Sequence, residues 1–122
     1  MKKPIILLMM GMIAVSSCYR DVEELLYPAN GNCNTNGVTF SATVVSLLQN
    51  NGCLGCHSGA APSGNISLEG YNNVRVVAQN GKLFGAINHS PGFSAMPQGG
   101  NKMSTCNINK IKAWIDDGFL NN

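Results

Sequence analysis

Cys53-Leu54-Gly55-Cys56-His57 is the stretch around which the rest of this 122-residue chain is interpreted. Two cysteines three positions apart put two thiols on one turn of helix or in one tight loop. The histidine that follows can then project its imidazole toward a metal held beside those thiols. This spacing is typical of covalent attachment of c-type haem, in which each thiol adds to a vinyl group and the histidine becomes an axial iron ligand.

The first 17 residues have the pattern of a bacterial export signal. Lys2 and Lys3 supply charge, and the apolar run Ile5–Val15 is only eleven residues long, too short to span a bilayer. The run leads to Val15-Ser16-Ser17-Cys18, which resembles a lipobox. We therefore expect a signal peptide over 1–17, lipid attachment to Cys18, and an exported lipoprotein anchored at the periplasmic or cell-surface side of a membrane; ordinary signal cleavage nearby is the alternative.

The charge of the remaining chain is balanced. Cleavage before Cys18 would remove Lys2 and Lys3, so the basic side chains fall from 8 to 6, against 6 acidic ones. Because no cluster of lysine or arginine is left, nucleic-acid binding is not expected. A neutral surface also predicts weak electrostatic steering of protein partners.

The five cysteines divide into separate predicted roles. Cys18 would carry lipid, and Cys53 and Cys56 would carry haem, which leaves Cys33 with Cys106. In an oxidising compartment two remaining thiols favour a disulfide, although two separate buried thiols are the alternative. Such a bridge would close a loop of about 73 residues and stabilise the fold by about 4 kcal/mol on chain-entropy grounds.

Apolar spacing predicts a helix before the haem motif. Ser41 is its expected N-cap and Asn51-Gly52 its expected end. A strand over 38–45 is the alternative, because apolar residues alternate there and several are β-branched. The residues at i, i+4, i+7 and i+8 that would form the buried face are Phe40, Val44, Leu47 and Leu48.

The rest of the chain predicts short helices separated by loops. Helices are expected over 71–79 and around 83–87, and a last helix, capped by Ser104 or Thr105, is expected to end at Gly118. Residues 18–36 read as a lipid-anchored tether, and residues 37–122 as one domain. The apolar residues that fall on one side of the last helix are Ile108, Ile111, Ile115 and Phe119.

A second axial iron ligand is sought because low-spin electron-transfer haems usually take methionine or histidine in the sixth position. Met96 is favoured, since Pro97 biases it toward an extended conformation and fixes the chain just beyond it. It follows His57 by 39 residues, enough chain to pass around a haem. Met103 and His89 are the alternatives, and His89 would give a bis-histidine centre of lower potential.

These features, in this order, resemble the class I monohaem cytochrome c family. The match consists of a helix, the Cys53–His57 motif followed by Ser58-Gly59, short helices, Ala95-Met96-Pro97, and a final helix with Trp114-Ile115-Asp116-Asp117-Gly118. It covers about residues 38–119 and is most similar to short domains of bacterial lipoproteins. The resemblance implies an all-α fold of three to five short helices wrapped around covalently bound haem, with long loops.

The resemblance also implies how the ends of the domain meet. The first and last helices are expected to pack together near the haem edge, and a Cys33–Cys106 bridge would tie the same two helices. The side chains expected to meet there are Phe40, Val44, Ile111 and Ile115.

The expected function is electron transfer with one covalently attached haem c. With His57 and Met96 both on iron, no position is left for a small-molecule substrate, so we expect redox protein partners rather than catalysis. The haem pocket is expected to include Leu68, Phe84 and Phe93.

Three other functions fit parts of the pattern. A thiol–disulfide oxidoreductase would use Cys53 as nucleophile and Cys56 as resolving thiol, normally within a βαβ framework. A structural zinc site would combine both cysteines with His57 and His89. A haem-based sensor or peroxidase would require Met96 to leave the iron or never to bind it.

Overall fold

A computed structural model describes residues 33–122, and this part of the chain is helical with no strand. A π-helical turn, Phe40–Val44, runs directly into α1, Val45–Asn50. The remaining α-helices are α2, Cys53–Cys56; α3, Gly70–Gln79; α4, Lys82–Ile87; and α5, Thr105–Asp116. A short 3₁₀ turn covers Ser63–Asn65. The predicted all-α class and number of short helices are confirmed, and the alternative strand over 38–45 is wrong.

The predictions for the leader, the lipid-bearing Cys18 and most of the tether concern residues outside the described part. Within 33–122, no helix is both long and apolar enough to cross a membrane. Cys33, inside the predicted tether, is bonded to Cys106 in α5, with the two Cα atoms 5.5 Å apart. The predicted disulfide is therefore present, and it ties the end of that segment to the last helix.

The N-cap of the first helical segment is Thr39, two residues before the predicted cap Ser41. Thr39 has extended backbone angles, and its hydroxyl accepts a hydrogen bond from the Ala42 N–H at 3.3 Å. Ser41 lies inside the π-turn, so its prediction as N-cap is wrong. The predicted end is correct, because Gly52 at φ 70° takes a left-handed conformation that suits glycine and directs the chain into α2.

The last helix is capped as predicted, but it ends at Asp116, so Phe119 lies beyond it and not on its apolar side. Trp114 rather than Ile115 is buried with Ile108 and Ile111. Ser104 caps it by accepting a hydrogen bond from the Asn107 N–H at 3.3 Å. Trp114 lies at the centre of its buried face, and its indole N–H donates to the Leu120 carbonyl at 2.8 Å. A buried indole needs such a partner, so the chain that follows α5 is held against the helix.

The first and last helices pack through aromatic side chains. The Phe40 ring lies 5.6 Å from the Trp114 ring and 5.3 Å from Tyr71. Asn122 adds a polar link, since its side-chain and backbone oxygens accept hydrogen bonds from Phe40 N–H and Ser41 N–H, each at 2.9 Å. These contacts agree with the expected packing of the two helices, and Val44, Ile111 and Ile115 belong to the same apolar cluster.

The middle helices supply the other wall of the core. α3 begins one residue before its predicted start and buries Val74 and Ala78. α4 buries Leu83 and Ile87 against the same cluster. Residues 88–104 then return to α5 without helix, and this loop bounds the candidate site.

Candidate functional site

A cavity of about 550 Å³ lies between α2, α4 and the loop before α5. Cys53, Cys56 and His57 line one part of it, and Met96 and Met103 line another. A volume of this order falls in the range of cofactor and ligand sites. The structure thus brings the haem motif and both candidate methionines to one cavity.

The two cysteines of the motif are thiols that differ in exposure. Cys53 is half-buried and Cys56 is exposed, and neither forms a disulfide. Burial raises the pKa of the Cys53 thiol, and a backbone hydrogen bond offsets part of that rise. Cys53 is therefore held in its neutral form at neutral pH.

The His57 imidazole is oriented by the chain that follows it. Its Nδ1 lies 2.9 Å from the Ile66 carbonyl oxygen. Because a carbonyl oxygen can only accept, Nδ1 carries the proton, and Nε2 keeps its lone pair. The His57 carbonyl also accepts a hydrogen bond from the Leu68 N–H at 2.8 Å, so both the ring and the backbone of His57 are fixed.

Met96 is held by both of its peptide groups. Its N–H donates to the Ala86 carbonyl in α4 at 3.0 Å, and its carbonyl accepts a hydrogen bond from His89 Nε2 at 3.0 Å. The Met96–Pro97 peptide bond is cis. His89 does not line the cavity, so of the three candidates for a second ligand only Met96 and Met103 are placed there.

The apolar wall includes two of the three side chains predicted for it. Leu68 is buried and lines the cavity, and Phe93 lines it while remaining 42% exposed. Phe84 lies outside the lining, where its ring is 5.9 Å from the Lys112 ammonium. Phe84 has this position because it lies on α4 one residue after Leu83, which is about 100° around the helix.

Several site features had no signal in the sequence pattern. The Ile66 carbonyl that orients His57 belongs to the backbone, which carries no residue signature. Gly85 is buried under the Phe93 ring, and a Cβ on it would lie 2.5 Å from two ring carbons. Lys82 is the one lysine, arginine, aspartate or glutamate among the lining residues that the structure describes.

The residues of the proposed zinc site do not converge. The His89 ring is hydrogen-bonded to Met96, away from the cavity that Cys53, Cys56 and His57 line. Within residues 33–122, no group of three or more histidine, cysteine, aspartate or glutamate side chains is arranged to hold a metal ion.

The arrangement around Cys53 also differs from that of a redox-active dithiol. Attacking cysteines of such sites usually have a lowered pKa, because a positive charge or a helix N-terminus favours the thiolate. Cys53 is the first residue of the single-turn helix α2, but its pKa is raised and not lowered. Burial acts in the opposite direction at Cys53. The described helices and loops also lack the strands of a βαβ framework.

No family model, curated protein or solved structure matches this chain. The functional argument therefore depends on the motif, the cavity and the donor atoms that line it.

Proposed function

We propose that this protein is an electron carrier that holds one haem c in the cavity. Cys53 and Cys56 would form the thioether links, and His57 and Met96 would be the axial ligands. The observation that carries the proposal is that these four side chains line one cavity of about 550 Å³. A chance Cys-x-x-Cys-His sequence gives no reason for a distant methionine to share its cavity.

The donor set fits haem iron. Imidazole and thioether are the axial ligands of electron-transfer cytochromes c. The hydrogen bond from Nδ1 to the Ile66 carbonyl leaves Nε2 of His57 free to bind a metal, the usual arrangement for a ligating histidine. When bound, the haem supplies one iron centre that passes between the ferrous and ferric states.

Met96 is assigned as the second ligand rather than Met103. Met103 is 5% exposed and belongs to the apolar core beside the start of α5, so its side chain already has a packing role. Met96 is half-buried in a loop whose backbone is hydrogen-bonded to α4. A thioether held in this way needs little further ordering to bind iron, and it favours the ferrous state more than imidazole does.

The remaining wall supports electron transfer more than catalysis. Apolar side chains such as Leu83 and Ile87 line the cavity. Around a bound haem, such a lining would limit the access of water and so raise the reduction potential. Cys56 and Phe93 are exposed at the same cavity, so one side of the site is open to a redox protein partner. With His57 and Met96 both bound to the iron, no position would be left open for a substrate.

We also propose that the carrier works outside the cytoplasm, attached to a membrane through lipid on Cys18. The Cys33–Cys106 disulfide supports an oxidising compartment. The export signal and lipobox of the sequence support the anchor.

The intact mass of protein made in a host with active c-type haem maturation tests this proposal. We expect a polypeptide heavier by one haem, with sharp bands in the reduced-minus-oxidised absorption spectrum. The control is a Cys53→Ser, Cys56→Ser double variant, which should carry no covalent haem. A wild-type mass explained by amino acids and acyl chains alone would refute the proposal.

A further inference from the structure

His89 is the side chain that connects the end of α4 to the Met96 backbone. Its Nε2 lies 3.0 Å from the Met96 carbonyl oxygen, and since that oxygen can only accept, Nε2 is the donor. On the other side of the same residue, the Met96 N–H donates to the Ala86 carbonyl at 3.0 Å. Met96 is thus clamped at both ends by groups from, or just after, α4.

The backbone of His89 supports a specific role for this contact. Its φ is 54°, in the left-handed region that non-glycine residues seldom occupy. Such a conformation persists where the surrounding contacts hold it, and it is often found next to functional sites. Here the left-handed residue lies two positions after the end of α4, and its ring is hydrogen-bonded to the carbonyl of Met96.

The rest of the loop is folded onto the same helix. The Ser90 N–H donates to the Gly85 carbonyl at 2.9 Å, and the Phe93 N–H donates to the Ser90 carbonyl at 3.2 Å. These bonds hold residues 90–93, whereas His89 is the side chain that bonds to residue 96 itself. The hydrogen bond from His89 is therefore the side-chain contact whose loss acts directly on the Met96 backbone.

We infer that His89 is a positioning residue for the Met96 thioether. Its imidazole fixes the Met96 carbonyl, so the sulfur is presented to the cavity before any metal is bound. The role of Met96 as a ligand rests on the proposed function, whereas the clamp itself rests on the hydrogen bonds just described. Without the clamp, the loop would leave the cavity more often and expose the sixth position.

Two substitutions separate the hydrogen bond from the backbone conformation. His89→Gln keeps a long side chain with an N–H donor, while His89→Asn is too short to reach Met96 but tolerates the left-handed backbone better. If the hydrogen bond matters, the asparagine variant is the more defective of the two. If only backbone strain matters, the order is reversed.

Carbon monoxide binding to the ferrous haem-loaded protein gives the first readout. We expect His89→Asn to bind carbon monoxide with a roughly five-fold higher apparent affinity than wild type. The reason is that losing one ordinary hydrogen bond raises, by about that factor, the fraction of molecules in which Met96 is off the iron. His89→Gln should stay close to wild type. Asn88→Ala is the matched control, because it removes only a 3.2 Å contact to Ser90 within the same turn, and it should also stay close to wild type.

Hydrogen exchange at the Met96 amide gives a second readout that needs no haem. His89→Asn should exchange roughly five-fold faster than wild type, with His89→Gln and Asn88→Ala near wild type. If the protein carries no haem, the proposed function fails while the exchange data still decide the clamp. If haem is bound and His89→Asn matches wild type in both measurements, or His89→Gln is the more defective variant, the inference is overturned.

Discussion

The close approach of Gly85 and Phe93 predicts that one added methyl group changes the cavity lined by Cys53, Cys56 and His57 with little change in stability. In Gly85→Ala, the new methyl would lie 2.5 Å from two carbons of the Phe93 ring, so the ring must move. The ring lines the cavity, and its displacement would admit water there. In protein loaded with the proposed haem, we expect the reduction potential to fall as a result, because exposure to solvent favours the more highly charged ferric state.

The change in the free energy of unfolding of Gly85→Ala is the difference between two opposing effects. Alanine in a helix interior is favoured over glycine by about 1 kcal/mol. Phe93 is 42% exposed, so displacing it forfeits roughly half of the 1.5–3 kcal/mol that full burial of a phenylalanine is worth, about 0.8 to 1.5 kcal/mol. The net change in the free energy of unfolding should therefore be within about 0.5 kcal/mol of zero.

A double-mutant cycle isolates the contact. In a Phe93→Ala background the ring is absent, so Gly85→Ala should then stabilise the protein by about 1 kcal/mol through helix propensity alone. Urea unfolding of the four proteins should give a coupling free energy of about 0.8 to 1.5 kcal/mol between the two positions. A coupling indistinguishable from zero would mean that the ring does not lie on Gly85, and the account of this wall would fail.

Three further outcomes are expected from the same structure. In the haem-loaded protein, Met96→Ala should change the spectrum from that of six-coordinate iron to that of iron that binds carbon monoxide readily. Met103→Ala should leave the iron six-coordinate but lose about 2–5 kcal/mol of stability, because it truncates a core side chain. The reverse pattern would transfer the ligand role to Met103. Replacing Cys33 and Cys106 by serine should lower the free energy of unfolding by about 4 kcal/mol, and labelling of either wild-type thiol in unreduced protein would contradict the bridge. Tyr71→Phe removes a 2.7 Å hydrogen bond to the Phe119 carbonyl and should cost about 1 kcal/mol in thermal unfolding, so an unchanged midpoint would argue against that bond.

The periodic features of the fold could be predicted from the sequence. Phe40, Val44, Leu47 and Leu48 share a face because helical spacing decides which side chains are buried, and all four are buried. The Cys33–Cys106 pair followed from assigning roles to the other cysteines. The cap was misplaced at Ser41 because Thr39 and Ser41 have equivalent chemistry, and only the start of the π-turn at Phe40 decides between them.

The details of the candidate site could be predicted less well. Cys53, Cys56, His57 and Met96 were identified because each belongs to a short motif. The acceptor for His57 is a backbone carbonyl nine residues away, and Phe93 packs where Gly85 has no side chain. Neither contact involves a second side chain that the sequence could have pointed to. The sequence allows His89 as an alternative ligand, but its left-handed backbone, which sequence spacing does not reveal, places the ring against the Met96 carbonyl instead.

The two hydrogen bonds that fix His57 also close the base of the loop over 58–65. His57 at the start of this loop is hydrogen-bonded to Ile66 and Leu68 just after its end, so the length of the loop can change without moving the imidazole. Each doubling of the length of a flexible loop costs only about 0.6 kcal/mol in the free energy of loop closure. The exposed pair Ala60-Ala61, which does not line the cavity, is thus a suitable place for an inserted affinity tag or a linker to an electrode.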